Sequence, residues 1–191
     1  ATLAADRNGE SGKAYSFDGE NDFIEYKNFS SKANEGKSSY SFWIYEESTQ
    51  SNKGVLGQYV WGIDHNGWRI RTDDAGNITG NSKVTGLTSN QSFEFGQIKS
   101  VIGRWNHVVI VINEGKILNY LNAQKENDFS VGYRLPSSDY DLVIGKTHGL
   151  NDSVFGGQID DIRIYNRALS EAEVAALYEL EKPEPAVVSI N

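Results

Sequence analysis

The sequence predicts an all-β fold: an antiparallel β-sandwich with one short C-terminal helix. Three observations carry this prediction. The apolar segments are short and separated by polar turns, the spacing of strands that pair with their chain neighbours. Strands and helices do not alternate, which argues against a parallel sheet. A single segment near the C-terminus carries the marks of a helix. The 191 residues are the length of one domain. A hydrophobic content of 38%, with 12% aromatic, fills a packed core, and 19 glycines against 3 prolines suit many tight turns.

Taken in order, the first strands are residues 14–17 and 23–26, short runs in which aromatic and polar residues alternate. Residues 39–45, with Phe42, Trp43 and Ile44 at their centre, are rich in aromatic and β-branched types. Residues 59–63 and 68–72 flank Asp64-His65-Asn66-Gly67, whose Asn-Gly pair signals a hairpin. Residues 92–95 form a further short strand. Residues 105–112 are the longest apolar run, and Asn113-Glu114-Gly115-Lys116 turns the chain into residues 117–121. Residues 142–145 and 159–165 complete the set. The helix covers residues 169–178, with Ser170 as N-cap, Glu173 three positions on as a capping box, and Leu169 and Val174 as a hydrophobic staple. Leu177 and Tyr178 continue its buried stripe. Two prolines among charges then read as a linker. The domain is assigned to residues 1–181, and residues 182–191 to a linker or the start of a following domain.

Composition excludes several functions. A net charge of −8 and a pI of ≈ 4.9 disfavour nucleic-acid binding, since no excess of positive charge meets the phosphates. No apolar run approaches the roughly 20 residues of a membrane helix, so membrane insertion is not expected. With no Cys there are no disulfides, thiolate metal sites or cysteine nucleophiles. Three His without H-x-x-x-H spacing give no zinc signature, and neither G-x-S-x-G nor a phosphate loop occurs. The chain has no basic-then-apolar N-terminal segment and no Met, which suggests a processed product or a piece of a longer protein.

Residues 155–178, reading F-G-G-Q-I-D-D-I-R-I-Y-N-R-A-L-S and then the helix, resemble the closing strand and short Glu-rich helix of the laminin G-like / concanavalin A-like jelly-roll lectin family. Residues 15–24 look like that family's F-D-G-x-x-D opening, and residues 103–108 like its G-x-W-x-H-V strand. Residues 120–123 stand where the family has Y-V-N-G, with Ala123 in place of the Gly. The matches run in family order from about residue 12 to 180. The resemblance implies a jelly roll of two antiparallel sheets packed face to face. Such a fold hosts lectins, adhesins and carbohydrate enzymes alike, so function must come from the site.

Asp18 and Asp22 flank Gly19 near the start, and Asp160 opens the last strand with Asp161. If the terminal strands are neighbours, Asp18, Gly19, Asp22 and Asp160 could supply the hard oxygens of a structural Ca²⁺ site. The resemblance supports Asp160 in that role, since related jelly rolls place Ca²⁺ on an Asp in such a strand. The plainer alternative is that Asp18 caps a turn and Asp160 accepts a bulge hydrogen bond. Asp161 alternates with Arg163 as a solvent-facing pair.

Glu20-Asn21-Asp22-Phe23-Ile24-Glu25 matches the E-x-D-x-x-E spacing of laminarinase-type hydrolases. Strand alternation puts Glu25 on the opposite face from Glu20 and Asp22, so coincidence is the default and no catalytic residue is assigned. Trp61 and Trp68, with His65 between them, are candidates for stacking on a sugar ring, although alternation of Trp61 with Tyr59 and Ile63 also fits a buried face. Trp43 and Trp105 read as core, and His107 as a structural group. His148, Asn151 and Asp152 lie in a polar, Gly-bounded loop suited to a rim site.

These features point to a non-catalytic, lectin-like carbohydrate-binding module of a larger secreted or cell-surface protein, stabilised by Ca²⁺ and extracellular in location. The expected partner is a glycan or polysaccharide, with a protein partner left open. The rival readings are a protein-binding or structural adhesion domain, and a glycan hydrolase or lyase of the same fold.

Overall fold

A computed structural model describes residues 1–29, 36–58, 67–84, 91–130, 140–147 and 153–184. The expected strand at 59–63 and the hairpin tip at 64–66 lie outside these residues. So do Trp61, His65, His148, Asn151, Asp152 and residues 185–191.

The described chain forms thirteen strands and one helix. They are β1 (Thr2–Ala4), β2 (Ala14–Asp18), β3 (Ile24–Tyr26), β4 (Lys37–Tyr45), β5 (Gly54–Gln58), β6 (Gly67–Thr72), β7 (Ile78–Val84), β8 (Gln91–Ile98), β9 (Trp105–Asn113), β10 (Lys116–Leu121), β11 (Gln124–Ser130), β12 (Leu142–Ile144), β13 (Gly156–Tyr165) and α1 (Glu171–Glu181). A seven-stranded sheet has the order β1-β2-β13-β4-β9-β10-β11, and a six-stranded sheet the order β3-β12-β5-β6-β7-β8. The chain is a jelly-roll sandwich, as the alternating short segments predict.

The core fills the space between the sheets. β4 sends Tyr40, Phe42 and Ile44 inward, and β9 sends Val108, Ile110 and Ile112. From the other sheet come Leu56, Trp68, Ile70, Ile78 and Phe95. Trp68 is 1% exposed, with its ring 4.3 Å from that of Tyr40 and its Nε1–H donated to Gln58 Oε1. Of the two readings left open for Trp68, the structure gives core, so no sugar can stack on it.

Turns carry the backbone exceptions. Glu114 and Gly115 between β9 and β10 both have positive φ, as do Asn122 and Ala123 between β10 and β11. These are the two-residue turns that suit twisted hairpins. Ala123 adopts φ 64° where a Gly would carry no Cβ penalty, so the departure from the family pattern leaves the turn intact and strained. In β13 the register shifts between Asp160 and Arg163, with Asp161 at φ 45°: a bulge that re-aims this strand's acidic pair.

α1 begins at the predicted cap. The Ser170 hydroxyl accepts the Glu173 N–H, and the Glu173 carboxylate accepts the Ser170 N–H at 2.8 Å. The Arg167 guanidinium and these Ser170 bonds hold the Glu173 carboxyl down at about 2. The helix packs on the outer face of the seven-stranded sheet, where Leu169 and Val174 meet Val109, Val111 and Tyr120 in a second, smaller core.

Candidate functional site

Alternation along β4 and β9 creates the site. Residues that do not point into the sandwich point to the outer face: Ser39, Ser41, Trp43 and Tyr45 on β4, and Trp105, His107, Val109 and Val111 on β9. Tyr45 and Trp105 are opposite each other in the ladder, and so are Trp43 and His107. The helix covers one half of this face. The other half stays partly open.

Under the helix end lies a buried polar cluster. The Trp43, His107 and Tyr178 rings stack, with centroids 5.0 Å apart for Trp43–His107 and 5.8 Å for Trp43–Tyr178. Trp43 Nε1–H donates to Glu181 Oε2 at 2.9 Å, and Arg163 pairs with Glu181 Oε1. Arg7 reaches in from the N-terminal segment. Its guanidinium lies 4.8 Å from the Trp43 ring centre, bonds Asp160 Oδ2 at 2.6 Å and Asp161 Oδ2 at 2.7 Å, and donates through Nε to the Glu181 carbonyl. This one arginine ties the N-terminal segment, the β13 bulge and the end of α1 together.

His107 is fully buried, and its Nε2 is 2.8 Å from Ser41 Oγ. Burial, followed by the nearby Arg7 and Arg163 cations, pushes its pKa down to about 4. Glu181 Oε2 is 3.8 Å away, but that carboxylate is already drawn to Arg163 and Trp43. His107 is therefore neutral at pH 7.

Beside this cluster opens a cleft of ≈ 460 Å³. Trp43, Tyr45, Trp105 and Tyr178 supply aromatic walls, Arg104 and Asn122 the polar rim, and Gly103 and Pro183 complete it. Tyr45, Trp105 and Tyr178 are half-buried, with ring surface left for a ligand. The rim is rigidly built. The buried Asn106 side chain donates to the Val101 and Arg104 carbonyls, both at 2.9 Å, and accepts the Val101 N–H at 3.1 Å. Gly103 N–H bonds the Glu46 carbonyl at 2.8 Å. Asn122 Oδ1 accepts the His107 N–H at 2.9 Å, which fixes that amide's orientation. Half-buried aromatic faces beside fixed polar groups suit a ligand with an apolar face and a polar edge.

The sequence-predicted metal ligands are not brought to one point. Gly156 pairs with Asp18, so Asp160 lies four residues, about 13 Å, further along β13. Asp18 Oδ1 accepts the N–H groups of Glu20, Asn21 and Asp22, the turn cap that was the plainer alternative. Those bonds hold the Asp18 carboxyl below its usual range. Asp22 Oδ1 binds the N-terminal amine at 2.6 Å, and Asp22 Oδ2 accepts the Asp18 N–H. Asp160 Oδ1 accepts the Asp161 N–H at 2.8 Å within the bulge, and its other oxygen belongs to Arg7. Gly19 lies against Gly156 at the far end. No group of three or more His, Asp or Glu able to hold a metal occurs among the described residues. Asp160 thus stands apart from Asp18, Gly19 and Asp22, with its oxygens on the Asp161 N–H and on Arg7, so the four residues are not gathered around one point.

The E-x-D-x-x-E run does not assemble either. Glu20 and Asp22 precede β3 rather than lying in it, and Glu25 sits beside Lys27. Asp161 lies 3.7 Å from Arg163, but the bulge breaks the alternation expected of a solvent-facing pair, and its shorter bond, at 2.7 Å, is to Arg7.

The cleft residues were not singled out from the sequence. Trp105 reads as core from its apolar strand, yet it shares a face with His107 and not with Val108, Ile110 and Ile112. That parity was the available signal. Tyr178 and Pro183 join the cleft only through tertiary docking.

A sequence model of the concanavalin A-like lectin/glucanases superfamily matches residues 18–175. The chain belongs to this family. All of the cleft except Tyr178 and Pro183 lies within the matched span. Paraclostridial mosquitocidal protein 1 of Paraclostridium bifermentans is 30% identical over 152 residues, which is 72% of this chain and 12% of that protein. This chain is therefore similar to a small part of that relative. Among solved structures, domain 4 of AbnA, a GH43 extracellular arabinanase from Geobacillus stearothermophilus, in complex with arabinotriose, aligns with a TM-score of 0.70 at 20% identity, covering 93% of this chain and 82% of that one. The binding domain of Paraclostridial Mosquitocidal Protein 1 aligns with a TM-score of 0.66 at 22% identity, covering 93% of this chain and 45% of that one. At these identities the solved structures show a shared jelly roll.

Proposed function

We propose that this concanavalin A-like domain is a non-catalytic carbohydrate-binding module of a larger secreted or cell-surface protein, and that the glycan lies in the aromatic cleft beside α1. The observation that carries the reading is the grouping of half-buried Tyr45, Trp105 and Tyr178 rings with the Arg104 side chain, on a held backbone, and the oriented Asn122 amide. A pyranose or furanose ring would stack its C–H face on Trp105, and its hydroxyls would meet the rim. The relatives support this reading: one aligned domain is described with a bound arabinotriose, and another is the binding domain of a toxin. Against catalysis stands the state of the carboxylates. Glu20 and Asp22 precede β3 while Glu25 lies within it, so the three do not share one strand face, and His107 beside the cleft is buried and neutral.

A glycan array probed with the purified chain tests this. The expected result is a related set of bound sugars, lost in Trp105→Ala while that variant melts cooperatively. Retention of all binding in Trp105→Ala would remove the glycan from this cleft. A blank array with tight capture of a protein ligand would favour the adhesion-domain reading.

A further inference from the structure

We infer that the cleft selects an acidic saccharide, with Arg104 pairing the sugar's carboxylate while Trp105 carries the ring; this rests on the carbohydrate-binding reading above. Among the described residues Arg104 is the one charged side chain lining the cleft, and it is a cation in a chain of net charge −8. No carboxylate pairs with it among the described residues, although eleven ion pairs involve other groups there. The neighbouring Arg7, Arg163 and Arg167 are all paired. Arg104 is exposed, but its backbone is not loose, because Asn106 Nδ2 holds its carbonyl and Gly103 is tied to Glu46. An unpaired guanidinium on a fixed loop is set for a planar anion, which it can bind through two parallel N–H bonds.

The other polar side chains of the cleft point the same way. Asn122 gives one lone pair of its oxygen to the His107 N–H and keeps its Nδ2 donors. The Trp105 indole offers N–H alone. Apart from the tyrosine hydroxyls and the second lone pair of Asn122 Oδ1, the side chains offer donors, and among the described residues no carboxylate lines the cleft. A neutral sugar's hydroxyls can accept from these donors, but they leave the guanidinium charge unmet and their own O–H groups short of side-chain acceptors. A hexuronate or sialate presents a carboxylate that accepts only, and it matches the set.

The test pairs each acidic oligosaccharide of a hexuronate and sialate panel with its methyl ester, which keeps the shape and removes the charge. Affinities are measured by titration calorimetry at low and high NaCl. The expected result is roughly tenfold tighter binding of the acid at low salt, narrowing as salt screens the pair, and loss of that preference in Arg104→Gln. Arg104→Lys should recover part of it, since an ammonium keeps the charge without the planar fork. Equal binding of acid and ester, with both lost in Trp105→Ala, would overturn the inference and leave the carbohydrate reading standing. An acid preference that survives in Arg104→Gln would overturn the role of Arg104. Binding of neither twin, alongside a blank glycan array, would overturn both readings.

Discussion

His107 shows how far one residue's environment can depart from its appearance in the sequence. In the string it is a polar interruption in an apolar strand. In the fold it is a neutral ring stacked with Trp43 and Tyr178 and bonded to Ser41, with Arg7, Arg163, Asp161 and Glu181 around it. Its pKa of about 4 lies below the ordinary 6.5, so on acidification the unfolded chain takes up a proton that the folded one refuses. Stability from this group is complete above about pH 6.5 and is lost progressively down to about pH 4, by on the order of 3 kcal/mol. Urea unfolding of the wild type and His107→Gln at pH 7 and pH 4.5 checks this. The wild type should lose more stability than the variant over that interval. An equal loss would place the acid sensitivity elsewhere.

At the scale of elements, the strands with clear alternation were legible: β4, β6, β9, β10 and β13 all appear within a few residues of their expected ends. The helix and its capping box were equally plain, because the cap chemistry is local. β5, β7 and β11 were not. β5 contains Gly54 and Gly57, and a Cβ at Gly57 would stand 2.7 Å from the Trp68 carbonyl, so close packing demands the residue that hides the strand. In β7 a Cβ at Gly80 would strike the Phe95 ring. β11 is largely exposed and reads as a polar loop. The N-terminal segment was silent because its anchor, Arg7, finds its partners more than 150 residues away.

That anchor carries a prediction about how elements are joined. Asp160→Ala removes one partner of a buried pair, and it should cost about 3–5 kcal/mol and loosen the N-terminal segment from α1. The loss in melting temperature should be the same in millimolar Ca²⁺ and in EDTA, since Asp160 serves Arg7. A Ca²⁺-dependent melt that disappears in the variant would instead restore the calcium role the sequence suggested.

At the scale of the molecule, the fold was legible almost throughout and the site was not. The family's motifs lie on strands whose patterning survives in one dimension. The cleft assembles from β4, the loop before β9, the turn after β10 and the end of α1, four places separated by more than 130 residues in all. Nothing in the sequence marks Tyr178 or Pro183 as neighbours of Trp105. The sandwich provides a stiff wall, the helix closes half of it, and the open remainder is the proposed binding surface. Such a division suits a module that holds a ligand without moving.

The most direct test follows the four tryptophan indole N–H resonances in a two-dimensional NMR titration, assigned by substitution, as a glycan found on the array is added. The account predicts that the Trp105 signal shifts first and furthest, while that of core Trp68 moves little. A shift confined to Trp61, with Trp105 unmoved, would contradict it and place the ligand elsewhere on the domain.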